Sequence, residues 1–368
     1  MTSIPIPTPA ASNAAGEPPQ EAANDTKWST LPKDIVLGCL NHIPRNDLLN
    51  VSCVSKTLRL LVTSPELQRM RSFLPKDTVY FSCHYQESSH WFTLRRSKKK
   101  NKKRKKTTVM YQLLPTQFPC HDEMRSSSNV AVGSKIYFIG RSFVYTTEVW
   151  ILDTRSGELT QGPSMKIART RPVVGVIDGK IYVLGGRQEE SKVEVFNPKT
   201  EKWGFVGEEK VRCKTTSFSV TLEKKIYMVE ERMFFVYDPR TGRKEVLMKV
   251  QDDDGIGCMC VVEDVLYVYF VQRGIMWLDT KVNIWRRVLS RDVGKTLDIK
   301  YPAGTAMTGY DGKLAVFLRG GKADTEVKCV LFDLVRVGEK IYGSLEWFGV
   351  VATISNRFYF ADCLTVSQ

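Results

Sequence analysis

A small N-terminal α-helical domain followed by a larger, mainly β domain, a six-bladed β-propeller, is the fold that three features of this 368-residue sequence predict. Apolar residues recur at helical spacing between Ser29 and Phe73. From Val79 onward a β-rich unit of roughly 40–48 residues repeats, the period of a four-stranded propeller blade. A β-rich run left over near the C-terminus, Ala361–Val366, can complete the first unit, whose innermost strand is otherwise missing.

Residues 1–28 come first and are expected to be a disordered tail. Pro5, Pro7, Pro9, Pro18 and Pro19 among Ala, Ser and Asn offer too little apolar surface to pack. The segment lacks the basic start and apolar run of a secretory signal, and Glu17, Glu21 and Asp25 oppose an organelle transit peptide. The helical domain is expected at 29–74. Ile35, Val36, Cys39, Leu40 and Ile43 share one stripe of a first helix, which Pro44 ends. Leu48, Val51 and Val54 repeat behind Asn46 and Asp47 as candidate caps, and Leu58, Leu61 and Val62 continue onto a third helix. Ser64-Pro65-Glu66 reads as the cap, first-position proline and acidic first turn of a fourth. A domain of about 45 residues leaves much of its surface wet. Leu31, Pro32, Ile35 and Leu40 are therefore expected to face another chain, unless the helices pack on the β domain.

Leu31-Pro32-Lys33-Asp34-Ile35-Val36, Cys39-Leu40, Ile43-Pro44, Asp47-Leu48, Val51, Val54-Ser55-Lys56 and Leu58-Arg59 together resemble an F-box. The resemblance implies a receptor subunit of a ubiquitin ligase. Leu31, Pro32, Ile35, Val36, Leu40, Ile43, Pro44, Leu48, Val51, Val54 and Leu58 would dock a Skp-type adaptor, itself joined to a cullin scaffold and a RING subunit.

In the β domain, at 79–368, Ile136-Tyr137, Ile181-Tyr182, Ile226-Tyr227 and Leu266-Tyr267 recur at spacings of 45, 45 and 40. Each follows a turn-like triplet, Gly133-Ser134-Lys135, Asp178-Gly179-Lys180, Glu223-Lys224-Lys225 or Glu263-Asp264-Val265, and precedes a second β-rich run ending in Asp or Asn. Trp203 and Trp285 each lie six residues beyond such an Asn or Asp. Gly185-Gly186, Val193–Phe196 and Trp203 make the unit that most resembles a kelch repeat. Gly140-Arg141, Glu230-Glu231 and Val271-Gln272 stand where two glycines would be expected. An F-box followed by eroded kelch units is similar to the plant F-box/kelch family, over nearly everything after Trp28. Six blades are expected, near 79–119 with 361–368, 126–165, 170–208, 215–249, 257–291 and 304–350, and no residues remain for a seventh.

The helical domain would feed into the second strand of the first blade, on the rim that carries the first-to-second and third-to-fourth strand turns. A target would use the opposite rim. There Arg141, Arg187, Arg232, Arg273 and Arg319 recur, either as a crown for an acidic or phosphorylated segment or as five solvated loop arginines.

The net charge of +14 is local: Arg95–Lys106 holds ten cations and no acid, leaving +4 for the rest. This basic insert, 95–106, is expected to be an extended solvated loop in the first blade. Lys98, Lys99, Lys100, Lys102, Lys103, Arg104, Lys105 and Lys106 also fit a nuclear-import signal, which would place the protein in nucleus, cytoplasm or both. No aromatic interleaves the cations, so specific nucleic-acid binding is not expected. No run of about 18 apolar residues occurs, so no membrane-spanning helix is expected. The nine cysteines should be reduced thiols. Cys258 and Cys260 share one strand face, yet His42, His84, His90 and His121 lie near no second pair, so no metal is expected. Nor is a cofactor: a copper oxidase ring wants a cluster of His and Tyr, and a glycosidase wants paired carboxylates. Asp252, Asp253 and Asp254 read as a solvated turn. The expected function is target recognition for a ligase, without catalytic residues; a scaffold outside any ligase, or an enzymatic propeller, are the other readings.

Overall fold

The computed structural model describes residues 31–41, 43, 51–72, 77–85, 88–101, 106–116, 127–141, 143–187, 189–213, 218–250, 254–291, 304–321, 325–354 and 358–367. Two compact units result, Met1–Leu74 and Pro75–Gln368. The tail at 1–28, Pro44, Leu48 and the caps Asn46 and Asp47 lie outside the described residues.

The first unit holds α1 (Lys33–Asn41), a helical turn at 51–54, α2 (Lys56–Val62) and α3 (Pro65–Ser72). Ser55 caps α2 by accepting from the Leu58 amide at 3.2 Å, and Ser64 accepts from the Leu67 amide at 3.2 Å, as the cap–proline–acid pattern predicts. Val36, Leu37, Leu40 and Leu67 form its core, with Ile43, Val51, Leu58, Leu61, Val62 and Met70 packed around them. Lys33 and Glu66 pair at 2.6 Å across the surface between α1 and α3.

Among the described residues the second unit is a ring of six sheets, each an antiparallel series of four strands from the centre outward, with one short extra strand pairing parallel on the outer edge of the sixth. Blade 1 contains β1 (Asp77–Tyr85), β2 (Ser88–Asn101) and β3 (Lys106–Pro115). Blade 2 is β4–β7 (Ser128–Val132, Lys135–Ile139, Val149–Asp153, Leu159–Gln161). Blade 3 is β8–β11 (Val173–Ile177, Lys180–Leu184, Ser191–Asn197, Lys202–Val211). Blade 4 is β12–β15 (Phe218–Leu222, Lys225–Glu230, Met233–Asp238, Arg243–Lys249). Blade 5 is β16–β19 (Ile256–Val262, Val265–Phe270, Gly274–Asp279, Ile284–Arg287). After the short β20 (Leu289–Ser290), blade 6 is β21–β24 (Thr305–Tyr310, Lys313–Gly320, Glu326–Val337, Lys340–Thr353). Finally β25 (Tyr359–Ser367) returns to blade 1 as its innermost strand, in the order β25-β1-β2-β3.

This closure is the one the orphan run predicts. β25 pairs with β1 from Asp77↔Ser367 to His84↔Tyr359, with one bulge between Ser82 and Cys83. At the first-to-second-strand turn of blade 6, the Asp77 carboxylate accepts from the Asp311 amide at 3.0 Å and from Ser367 Oγ at 2.8 Å. Neighbouring blades bury their faces against each other in six apolar clusters, and the one joining blades 6 and 1 includes Phe81, Phe317, Leu331 and Phe358. β25 thereby covers the inner edge of β1 and makes blade 1 four-stranded like its neighbours.

The repeating Ile/Leu-Tyr pair opens the second strand of blades 2 to 5. Ile136, Ile181, Ile226 and Leu266 are fully buried between blades. The two residues before each second strand make a tight hairpin, with φ of +50° and +72° at Asp178-Gly179, +49° and +58° at Glu223-Lys224, and +45° and +57° at Glu263-Asp264. Two successive left-handed residues match the strand twist. Gly185 and Gly186, at +68° and +69°, have no room for a Cβ, which would meet Cys213 at 2.7 Å and the Thr170 carbonyl at 2.6 Å. Where these glycines are eroded, Glu231-Arg232 keep the left-handed backbone at +44° and +65°.

The basic insert departs from expectation. Instead of a loop, Arg95–Asn101 continues β2 and pairs with Lys106–Gln112 of β3; only Lys102, Lys103, Arg104 and Lys105 lie outside the described residues. Lys98 stands opposite Val109, Lys99 opposite Thr108 and Lys100 opposite Thr107, so no cation directly faces another across this ladder. The partner strand is rich in β-formers, and Trp347 of β24 braces it, donating to the Val109 carbonyl at 3.2 Å and stacking edge-on with Tyr111 at 4.8 Å.

Candidate functional site

The helical unit offers one candidate surface. Of the residues assigned to adaptor docking, Leu31 and Ile35 are 41% and 52% exposed, Val54 is 72% exposed, and Pro32 is also exposed. Leu60, which the spacing did not single out, is exposed to the same degree as Val54. Val36 and Leu40 are buried in the unit's own core, and Ile43, Val51 and Leu58 pack on that core. This corrects the expectation for Leu40, and divides the docking set into side chains free to touch a partner and side chains that hold the helices. Helical periodicity alone could not divide them, because both kinds lie three or four residues apart.

The propeller offers a second. Its rims differ: one carries the first-to-second and third-to-fourth turns, the other the second-to-third connections and the blade-to-blade crossovers. Arg141, Arg187, Arg232 and Arg273 fall at second-to-third connections, on the crossover rim, while Arg319 lies near the end of β22, opposite Val327 of β23. They do not form a common crown. Arg319 is 7% exposed and donates from Nη1 to the Phe358 carbonyl, tying β22 to the segment before β25. Arg273 pairs through Nε with Asp254 at 2.5 Å and lies over Phe270 at 4.0 Å. Arg187 donates to the Ala168 carbonyl at 3.1 Å and lies over Tyr145 at 5.6 Å. Arg141 is half-buried and bridges backbone-to-backbone to Thr170, while Arg232 is exposed. Both earlier readings are thus corrected in part, since at least Arg319 and Arg273 hold the ring together. Asp254 is corrected too: it is buried, accepts from the Gln272 amide at 2.9 Å and partners Arg273; Asp252 and Asp253 lie outside the described residues.

Three structural features escaped the sequence reading. Arg169 is fully buried beside Glu194: its Nε meets Glu194 Oε2 at 3.1 Å, and its remaining N–H groups reach the Gly185 and Lys192 carbonyls at 2.7 Å and Ser191 Oγ at 3.1 Å. Burial pulls the Arg169 pKa down, opposed by Glu194. Phe143, Val144 and Tyr145, in the β5–β6 connection, are exposed on the crossover rim; three apolar residues inside a connection were the available signal. The third is Asp362. A cavity of about 650 Å³ runs through the ring, lined by the innermost strands and including Asn129, Arg171, Cys258, Thr308 and Asp362. Burial pushes Asp362 up to about 6, against hydrogen bonds from Asn129 Nδ2 at 2.7 Å and the Cys363 amide at 2.8 Å. Burial likewise raises the Cys258, Cys260 and Cys363 thiols, so they stay protonated and poorly nucleophilic. Among the described residues no group of three or more His, Cys, Asp or Glu could hold a metal ion.

Comparison with known proteins matches both units. A profile described as the FKB95 kelch-repeats domain covers residues 91–352, and one described as the F-box domain covers residues 28–70. An F-box/kelch-repeat protein of Arabidopsis thaliana is 41% identical over 384 residues, covering 94% of this chain and 100% of that one. A second from Arabidopsis thaliana is 34% identical, covering 95% of this chain and 96% of its own. Among solved structures, YjhT aligns with a TM-score of 0.45 at 13% identity, over 69% of this chain and 90% of that one.

Proposed function

Because this chain belongs to the F-box/kelch-repeat family, we propose that it is the substrate-recognition subunit of an SCF-type ubiquitin ligase. Leu31, Pro32, Ile35 and Val54, joined by Leu60, dock the Skp-type adaptor, and the propeller holds a target protein. The observation that carries this reading is the small helical unit that has filled its own core with Val36, Leu37, Leu40 and Leu67 and still leaves large apolar side chains in water. Exposed apolar surface of that kind is what a partner removes from solvent. The chain itself performs no chemistry on the target. Its contribution is effective concentration: a tethered target meets the charged ubiquitin carrier as if intramolecularly.

The test is co-purification of the full chain with a Skp-type adaptor. Leu31→Ala combined with Pro32→Ala should weaken capture by about tenfold or more, the loss expected for central anchors of an interface. Both residues are exposed, so the helical circular-dichroism signal of the variant should match the parent. Undiminished capture by the double variant would remove this face from the reading.

A further inference from the structure

The crossover rim presents an apolar tip that the ring does not use. Phe143 is 98% exposed, Val144 50% and Tyr145 53%. Phe143 also holds φ at +64°, a left-handed conformation that bulky side chains rarely adopt. The tip stands on an anchored base. Thr146 and Arg169 exchange backbone hydrogen bonds at 3.2 and 2.9 Å, and the Arg171 amide donates to the Arg141 carbonyl at 3.1 Å, fastening this connection to the crossover that enters blade 3. Arg187, from the next blade, lies over the Tyr145 ring while its Nη1 is held by the Ala168 carbonyl. The same pairing recurs on this rim where Tyr359, 60% exposed, carries Arg319 at 5.3 Å.

The cations of these connections that are not fully buried are Arg141, Lys166, which lies over Phe205, Arg171 and Arg187; the acids are Glu148, whose Oε2 is buried, and the exposed Glu189 and Glu190. Arg171 also lines the mouth of the central cavity. Aromatic and arginine side chains together are the commonest anchors of protein interfaces, since a ring supplies area at little entropic cost and a guanidinium fork pairs with a carboxylate. A second copy seated tip to tip would set this rim's own cations, Arg141, Arg171 and Arg187, against themselves, so an acidic peptide is the better occupant.

We propose that Phe143, Val144 and Tyr145, with Arg187, form the primary contact for an extended peptide segment in which a bulky apolar residue is flanked by carboxylates. The proposal rests on the propeller being the target-binding half. The apolar residue covers Phe143 and Tyr145, and a flanking carboxylate meets Arg187 from the side not occupied by the Ala168 carbonyl.

The experiment selects a phage-displayed library of random peptides on the full chain immobilised directly after co-expression with a Skp-type adaptor. Selection should enrich an apolar residue flanked by Asp or Glu, and a synthetic peptide of that consensus should lose about tenfold in affinity on Phe143→Ser with Tyr145→Ser, the loss typical of a hot spot. Arg187→Glu should weaken the acidic peptide while leaving a version with its acids changed to Ser unaffected. Enrichment without acids, or equal binding to the double Ser variant, overturns the proposal. So does a dimer in sedimentation that Phe143→Ser disperses, since the occupant would then be a second copy. Adaptor retention is scored in the same preparation: losing the adaptor with peptide selection intact sinks the ligase reading alone, and the converse sinks this proposal alone.

Discussion

At the scale of single residues, the ring is held by charges that the repeat pattern does not display. Arg169 and Glu194 are both fully buried, with four hydrogen bonds from the guanidinium and both carboxylate oxygens engaged: Lys166 N, for example, donates to Glu194 Oε1 at 2.6 Å. Removing one partner leaves an uncompensated buried charge. Arg169→Met is therefore expected to cost about 3–5 kcal/mol in chemical denaturation, whereas Arg240→Met, whose exposed guanidinium meets Asp238 at the surface, should leave the midpoint nearly where it is. Equal effects of the two would show that the buried pair is not structural. Asp362 gives the ring a pH dependence. Its folded pKa, raised by burial to about 6, lies above the unfolded value of about 3.9. The native state thus binds more protons between those values, and this contribution is full below about pH 4 and lost as pH rises through about 6. Thermal melts at several pH values should show Asp362→Asn gaining on the parent across that window; parallel curves for the two proteins would contradict it.

At the scale of elements, β25 and the β2–β3 hairpin show how context outweighs local composition. Ala361–Val366 was recognisable as an orphan, and its role followed from counting strands in the first unit. Its hydrogen bonds to β1 and its place beside Phe81 and Phe317 close the ring across nearly 300 residues of chain. Ending the chain before Phe358 should lower the thermal midpoint by at least ~10 °C, taking about 2–4 °C for each kcal/mol in a domain of this size. It should also promote aggregation through the bared edge of β1. A truncated chain that melts like the parent would mean the ring closes elsewhere. The basic insert forms a hairpin, not a loop, for a reason of the same kind. Ten cations in twelve residues suggest mutual repulsion, but along Arg95–Lys100 a strand alternates them between two faces and sets Val109, Thr108 and Thr107 opposite Lys98, Lys99 and Lys100. The ladder then satisfies backbone groups without opposing like charges.

At the scale of the whole molecule, two separately folded units divide the work proposed here, one presenting bare helical side chains to an adaptor and the other a rim to a target. The sequence by itself determined the helical unit, the six-blade count, the closing strand and the rim on which each connection lies, because strand alternation and turn spacing are local and the up-and-down topology follows from them. It could not determine which docking candidates are bare, nor that Arg319, Arg273 and Asp254 turn inward while Phe143 and Tyr145 turn outward. Periodicity assigns a face to a residue, but burial depends on what the neighbouring blade or helix brings against that face. Arg319 and Arg187 each hold a backbone carbonyl and an aromatic ring, yet Arg319 is buried within β22 as a strut and Arg187 is half-buried in a connection beside the exposed Phe143 and Tyr145.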